Sequence, residues 1–149
     1  MSVGDDLYRE IILDHYKSKK HRKRLDPVDY HHEGANPSCG DDIELYLNSD
    51  EGLITEVTYE GIGCSICLAS ADMLCESLKG RSVDEARDLL GKVKGMLTRQ
   101  EEPEFSDEAS DIEAMQGVRD FPVRVKCALL SWNTLDQILG KMGSETASE

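Results

Sequence analysis

The sequence has no long apolar run, few aromatic residues and little positive charge. No stretch approaches the ~18 apolar residues of a bilayer-spanning helix, and Asp5 and Asp6 stand where a secretory or transit peptide would need positive charge. The 30 acidic residues outnumber the 17 lysines and arginines, giving a formal net charge of -13, which opposes binding to nucleic acid or an anionic membrane. We therefore expect a cytoplasmic protein with no nucleic-acid or membrane partner.

The length of the chain predicts one domain. A chain of 149 residues fits this expectation because domains cluster near ~100 to 150 residues. Aromatic residues make up only 5%, so the aliphatic residues and methionine must fill the core. We assign residues 1–142 to the domain and expect residues 143–149 to be a disordered tail.

Alternating and helical hydrophobic patterns follow one another along the chain. Residues 43–47 and 54–59 alternate apolar and polar positions around a segment of turn composition, which predicts an antiparallel hairpin, and a third strand is expected near residues 28–33. Helical spacing appears in residues 5–16, 66–78, 82–96 and from 122 onward. Ser82 and Glu85 predict a capping box at the start of the third of these helices. The predicted fold class is therefore α+β, with a small antiparallel three-stranded sheet packed against about five helices.

Residues 100–118 contain seven acidic residues, no basic residue and a proline. This composition predicts an exposed, mobile connector with at most a short helix over residues 111–115.

The five cysteines are an odd number in a chain without an export signal, which favours metal binding or thiol chemistry over disulfides. Cys64 and Cys67 form a C-x-x-C pair, but no second pair completes a four-cysteine zinc finger. Cys67 and Cys75 instead follow the apolar stripe of a helix, so we interpret both as small buried hydrophobic residues.

The other three cysteines lie where thiolates are favoured. Cys39 and Asp41 are two residues apart on an extended or turning segment, so both side chains can point the same way. Cys64 follows two glycines at a predicted helix N-terminus, where the helix dipole favours a thiolate. Cys127 lies about a turn into the last predicted helix, between Arg124 and Lys126 on one side and the apolar face on the other, and these cations are expected to lower the pKa of its thiol. The histidines show no ligand spacing, so none is expected in the site (His15, His21, His31, His32).

Three motifs together resemble the iron-sulfur assembly proteins of the IscU/SufU family, which are also related to the N-terminal part of NifU. They are Asn36-Pro-Ser-Cys-Gly-Asp41, Gly61-Ile-Gly-Cys-Ser-Ile66 followed by Ala69-Ser70, and Phe121-Pro-Val-Arg-Val-Lys-Cys127 with Trp132. The resemblance spans residues 7–139. It implies that the metal ligands are Cys39, Asp41, Cys64 and Cys127, and that Arg124 is functional. Three soft thiolates and one carboxylate also suit tetrahedral zinc.

Two further features resemble the SufU branch of that family. Lys126 stands where the scaffold branch has a histidine that takes part in the metal site, and residues 111–118 resemble an insertion typical of SufU. This resemblance implies a zinc-dependent sulfurtransferase that takes persulfide sulfur from a PLP-dependent cysteine desulfurase and activates it, passing sulfur toward downstream cluster-assembly proteins. Cys39 is the expected acceptor and Cys127 the second choice.

Three other functions compete with this hypothesis. The first is a scaffold that assembles iron or a [2Fe-2S] cluster on the same ligands. The second is a binding module with a purely structural zinc, although such sites usually have a closed set of cysteines and histidines. The third is a thiol oxidoreductase acting through Cys64 and Cys67, which would need a βαβ pattern that the sequence does not show.

Overall fold

The computed structural model describes the backbone of residues 3–147 and the side chains of residues 6–142. One helix precedes three consecutive strands, and the remaining helices follow. The elements are α1 (Val3–Lys17), β1 (Tyr30–Asn36), β2 (Asp41–Asp50), β3 (Leu53–Ile62), α2 (Ser65–Leu78), α3 (Val83–Thr98), a 3₁₀ helix (Asp107–Val118) and α4 (Pro122–Ala147). The predicted α+β fold with a three-stranded sheet and about five helices is confirmed.

The three strands form one antiparallel sheet in the order β1-β2-β3. The predicted hairpin is β2 and β3, joined by the tight turn at Glu51 and Gly52. The third strand lies slightly later than expected, because β1 pairs along β2 up to Asn36 opposite Asp41. This pairing brings the turn that contains Cys39 to the end of the sheet.

Helix α2 is the centre of the core. Twelve of its 14 residues are buried, and it packs against α1, α4, β3 and the 3₁₀ helix. A helix that is apolar around most of its circumference must be enclosed in this way. Cys67 and Cys75 are both fully buried on it, as predicted.

Helix ends follow the local sequence rules. Ser82 accepts a hydrogen bond of 3.1 Å from the backbone N–H of Glu85, whose carboxylate returns one to the N–H of Ser82, so the predicted capping box at the start of α3 is confirmed. Pro122 is the first residue of α4, where its missing N–H has no helical partner to lose. No described helix is long and apolar enough to cross a bilayer.

The prediction of an exposed, mobile connector is wrong for residues 107–118. They form a 12-residue 3₁₀ helix that packs against α1 and α2. Ala109, Ile112, Met115 and Val118 recur every third residue and are buried, which matches the three residues per turn of a 3₁₀ helix. The burial of this face outweighs the acidic composition.

The predicted disordered tail, residues 143–149, stays a prediction. Helix α4 continues to Ala147, but the side chains of residues 143–147 and all of residues 148–149 lie outside the described residues.

Candidate metal centre

Three parts of the fold bring ligand atoms of metal-binding type together at one end of the sheet. Cys39 lies in the turn between β1 and β2, Asp41 is the first residue of β2, and Cys127 lies in the second turn of α4. The thiol sulfurs of the two cysteines and a carboxylate oxygen of Asp41 all lie within 4.8 Å of one another. Residues distant in sequence thus form one compact group of soft and hard ligands.

Only one of the two carboxylate oxygens of Asp41 accepts a hydrogen bond from a described residue. Its Oδ1 accepts a hydrogen bond of 2.9 Å from the backbone N–H of Cys64. Its Oδ2 is buried and has no hydrogen-bond partner among the described residues, while the residue is only 1% exposed. A buried carboxylate oxygen without a partner is costly, and a metal ion bound beside the thiols would satisfy it. The ligand set therefore fits a metal.

Gly63 permits the close approach of the Asp41 carboxylate to the backbone N–H of Cys64. A Cβ at Gly63 would lie 2.9 Å from Asp41 Oδ1 and 3.2 Å from Cys67 Sγ. Any side chain at this position would therefore displace the carboxylate or the helix beneath it. Gly40 lies between Cys39 and Asp41. Its φ of +72° is a left-handed conformation that glycine adopts without strain.

Cys64 lies next to the close group. It is the N-cap residue of α2, as its predicted position requires, and is half-buried. It does not belong to the group of three with mutual distances within 4.8 Å, but its side chain is one of the three that help to raise the pKa of the Cys127 thiol. Three of the four residues expected as ligands therefore meet in one group, and Cys64 lies outside it.

Cys127 is as enclosed as Asp41, since each residue is 1% exposed. Burial first, and then the neighbouring side chains of Cys39, Asp41 and Cys64, raise the pKa of its thiol. The expected lowering of that pKa by Arg124 and Lys126 is wrong, because both side chains are exposed and burial dominates. Neither cation makes an ion pair with any described residue, so Arg124 remains a predicted functional residue.

Hydrogen bonds between α2 and α4 fix the position of Cys127 relative to α2. Ser70 donates a hydrogen bond of 2.6 Å to the carbonyl oxygen of Ala128, the next residue along α4. Trp132 Nε1 donates one of 3.0 Å to the same Ser70 hydroxyl. All of these side chains are buried, so this link holds the cysteine at one position relative to α2.

The two remaining cysteines take no part in the group. Cys67 lies below the site, and burial, reinforced by the charges of Asp41, Cys64 and Cys39, raises the pKa of its thiol. Burial also raises the pKa of Cys75 well above its ordinary value. Both thiols are therefore kept protonated, as expected for hydrophobic residues.

Sequence reasoning missed a second polar cluster. His15, on α1, is buried between Asp72 of α2 and Asp111 of the 3₁₀ helix. The cysteine group itself contains no histidine among the described residues. The only local indication was Asp72, four residues before Glu76 in an otherwise apolar helix.

A protein-family model, the NifU-like N terminal domain, matches residues 7–128. The chain belongs to this family. Among curated relatives of this NifU-like chain, the zinc-dependent sulfurtransferase SufU of Bacillus subtilis is 39% identical over 92% of both chains. The iron-sulfur cluster assembly scaffold protein IscU of Thermotoga maritima is 37% identical over 91% of this chain and 94% of its own. The predicted membership of the IscU/SufU family is confirmed.

Solved structures support the same fold. A Fervidobacterium islandicum protein, described as an iron-sulfur cluster assembly scaffold candidate for the SUF system, superposes with a TM-score of 0.80 at 34% identity, covering 87% of this chain and 94% of its own. The N-terminal part of a NifU-like protein from Brucella abortus gives a TM-score of 0.85 at 22% identity, covering 96% and 99%. At that identity the second match shows the fold alone.

Proposed function

We propose that this NifU-like chain accepts persulfide sulfur from a PLP-dependent cysteine desulfurase for iron-sulfur cluster assembly, and that it acts with zinc at its cysteine centre. The observation that carries the proposal is the group of Cys39, Asp41 and Cys127, with Asp41 held by the backbone of Cys64 and one buried carboxylate oxygen left without a partner. The similarity to the Bacillus subtilis zinc-dependent sulfurtransferase supports it.

Zinc suits these ligands. Three sulfurs and one carboxylate oxygen match its tetrahedral preference, and the set is too rich in sulfur for magnesium or calcium. When bound by Cys39, Asp41, Cys64 and Cys127, zinc would keep the thiols deprotonated near neutral pH. Arg124 and Lys126 would offset the excess negative charge of such a site, since both are exposed beside Cys127 without an ion-pair partner among the described residues.

Cys39 is the proposed acceptor. It lies in a turn and is half-buried, whereas Cys127 is 1% exposed in the second turn of α4. Its thiolate would attack the outer sulfur of the desulfurase persulfide. The sulfur-sulfur bond of that persulfide breaks, a new bond forms to Cys39 Sγ, and the desulfurase cysteine leaves as a thiolate, so the transferred sulfur keeps its proton or exchanges it with water.

Three exposed apolar side chains lie close in sequence to Cys64 and Cys127. Ile62 is 70% exposed two residues before Cys64, and Phe121 and Val123 are 58% and 62% exposed at the start of α4. Large apolar side chains left in solvent beside a reactive site are typical of a docking surface. We assign them to contact with the desulfurase, which would shield the persulfide from water during transfer.

The test is to replace single cysteines and follow the sulfur. Zinc-loaded chains with Cys39→Ser, Cys127→Ser or Cys67→Ala are incubated with desulfurase and cysteine, and the gain of one sulfur atom is located by mass spectrometry of alkylated peptides. Cys39→Ser should abolish the gain, while the Cys67→Ala control should retain it. Full transfer to the Cys39→Ser chain would reject this acceptor, and transfer confined to Cys127 would assign the role to that residue.

A second candidate is a scaffold that holds a [2Fe-2S] cluster. The 37% identity to the Thermotoga maritima scaffold protein, only slightly below that to SufU, favours it. Lys126 weighs against it, because this exposed lysine replaces the histidine expected in the scaffold branch. Metal analysis and the visible spectrum of protein purified without air separate the two: bound zinc and no colour supports sulfur transfer, whereas iron with inorganic sulfide supports the scaffold.

A further inference from the structure

His15 lies at the junction of three helices and contacts a carboxylate at each ring nitrogen. Its Nδ1 is 2.5 Å from Asp72 Oδ2 and 3.9 Å from Glu76 Oε2, both on α2. Its Nε2 is 2.8 Å from Asp111 Oδ2 on the 3₁₀ helix. Ligand atoms of His15, Asp72 and Glu76 all lie within 4.8 Å of one another. This group shares no residue with the cysteine centre.

The geometry matches the way proteins orient a metal-binding histidine. Such a histidine usually donates the N–H of one ring nitrogen to a carboxylate, which fixes the tautomer and leaves the other nitrogen for the metal. Here Asp111 accepts from Nε2, and Nδ1 faces two carboxylates. Asp72 and Glu76 are four residues apart, so the helix presents both on one face.

Asp72 adds an independent indication. The residue is 1% exposed, and its Oδ1 is buried without a hydrogen-bond partner among the described residues. A buried carboxylate oxygen without a hydrogen-bond partner is costly. The hydrogen bond with His15 satisfies only Oδ2.

The charges of the cluster also fit a cation. Three carboxylates, those of Asp72, Glu76 and Asp111, surround one imidazole, so the cluster is negative even when His15 is protonated. Asp107 and Glu108 line a cavity of about 120 Å³ that also borders His15, Glu76 and Asp111. The side chain of Glu76 is 51% exposed, which gives a cation a path from solvent.

We propose that His15 Nδ1, Asp72 and Glu76 form a second metal site for a divalent transition cation of the zinc type, with Asp111 as the residue that orients His15. One imidazole nitrogen and two carboxylates suit zinc better than magnesium or calcium, which take oxygen ligands alone. Water would complete the coordination on the side of Glu76. Binding releases the proton on Nδ1 to solvent and ties α1 to α2.

The test counts zinc ions in the intact chain. Protein already carrying zinc at its cysteine centre is titrated with further Zn²⁺ at pH near neutral, and native mass spectrometry and calorimetry follow the uptake. The wild-type chain should bind about two zinc ions, the second with release of about one proton, measured in buffers of different ionisation enthalpy. Glu76→Gln should weaken the second site about tenfold or more and leave the first unchanged.

Matched variants keep the result decisive. Glu76→Gln changes a half-exposed side chain and should leave the fold intact, whereas Asp72→Asn tests the buried ligand. Glu113→Gln removes one exposed charge from the same 3₁₀ helix outside the cluster and should bind the second zinc as the wild-type chain does. Uptake of only one zinc by the wild-type chain would overturn the proposal. So would a second zinc retained with equal affinity by Glu76→Gln and Asp72→Asn, because it would be adventitious.

Discussion

The backbone N–H of Cys64 donates a 2.9 Å hydrogen bond to Asp41 Oδ1. This contact links the start of β2 to the start of α2, two segments that are separated by the whole β2–β3 hairpin. Oδ2 of the same carboxylate has no hydrogen-bond partner among the described residues, and one carboxylate oxygen of Asp41 lies within 4.8 Å of the thiol sulfurs of Cys39 and Cys127. The same residue therefore orders the backbone of the site and completes its ligand set.

Asp41→Asn should separate these two roles. The asparagine oxygen can still accept the hydrogen bond from Cys64, so the fold should persist, but the carboxylate ligand is lost. We expect zinc affinity at the cysteine centre to fall about tenfold to a hundredfold, measured by competition with a chromophoric chelator. Asp42→Asn is the control, since Asp42 is exposed on the next position of β2. Unchanged affinity in Asp41→Asn would remove Asp41 from the ligand set.

Gly63→Ala should disturb the same contact by steric conflict. The added Cβ would stand 2.9 Å from Asp41 Oδ1, closer than side chains tolerate. We expect a loss of about 1–3 kcal/mol in the free energy of unfolding, together with weaker zinc binding. Gly91→Ala is the matched control, because a Cβ there meets nothing within 4 Å and alanine favours an exposed helix position by about 0.5–1 kcal/mol. Equal stability of the two variants would contradict the prediction.

The parts of the structure that the sequence predicted are those that local pattern determines. The alternation in β2 and β3, the Ser82 capping box and the apolar spacing of Cys67 and Cys75 each depend on residues within a few positions of one another. The convergence of Cys39, Asp41 and Cys127 was predicted only through the resemblance to a known family. Spacing along the chain cannot show that the turn after β1 and the start of α4 meet.

The features that the sequence did not predict depend on contacts between distant residues or on an uncommon spacing of apolar residues. His15 meets Asp72 and Asp111, which are 57 and 96 positions away, so no window of sequence contains the cluster. In the 3₁₀ helix the apolar residues recur with a period of three, which fits neither an α-helix nor a strand. The acidic residues between them therefore gave the segment the composition of a loop.

Ser70→Ala should show how far the α2–α4 link supports Cys127. The variant removes the hydrogen bond to the carbonyl of Ala128 and leaves the indole N–H of Trp132 without its partner. We expect a loss of about 1–3 kcal/mol, because both groups are buried. Trp132→Phe alone and the double variant complete a thermodynamic cycle from denaturant unfolding. Additive losses would show that the two hydrogen bonds do not act as a unit.

The stability of the protein should depend on pH through His15. Burial alone would lower the pKa of His15, but hydrogen bonds with Asp72 and Asp111 and the charges of both carboxylates raise it from 6.5 to about 9. Because the folded-state pKa is the higher one, the contribution of the imidazolium is complete below pH 6.5 and is lost as pH rises through about 9. A pKa shift of this size corresponds to roughly 3 kcal/mol in the free energy of unfolding.

The measurement is urea unfolding between pH 6 and 10, with one equivalent of zinc, for wild-type and His15→Gln chains. The difference between them should shrink as pH rises. A wild-type minus His15→Gln difference that stays constant across this range would mean that His15 is not held as an imidazolium by Asp72, Glu76 and Asp111.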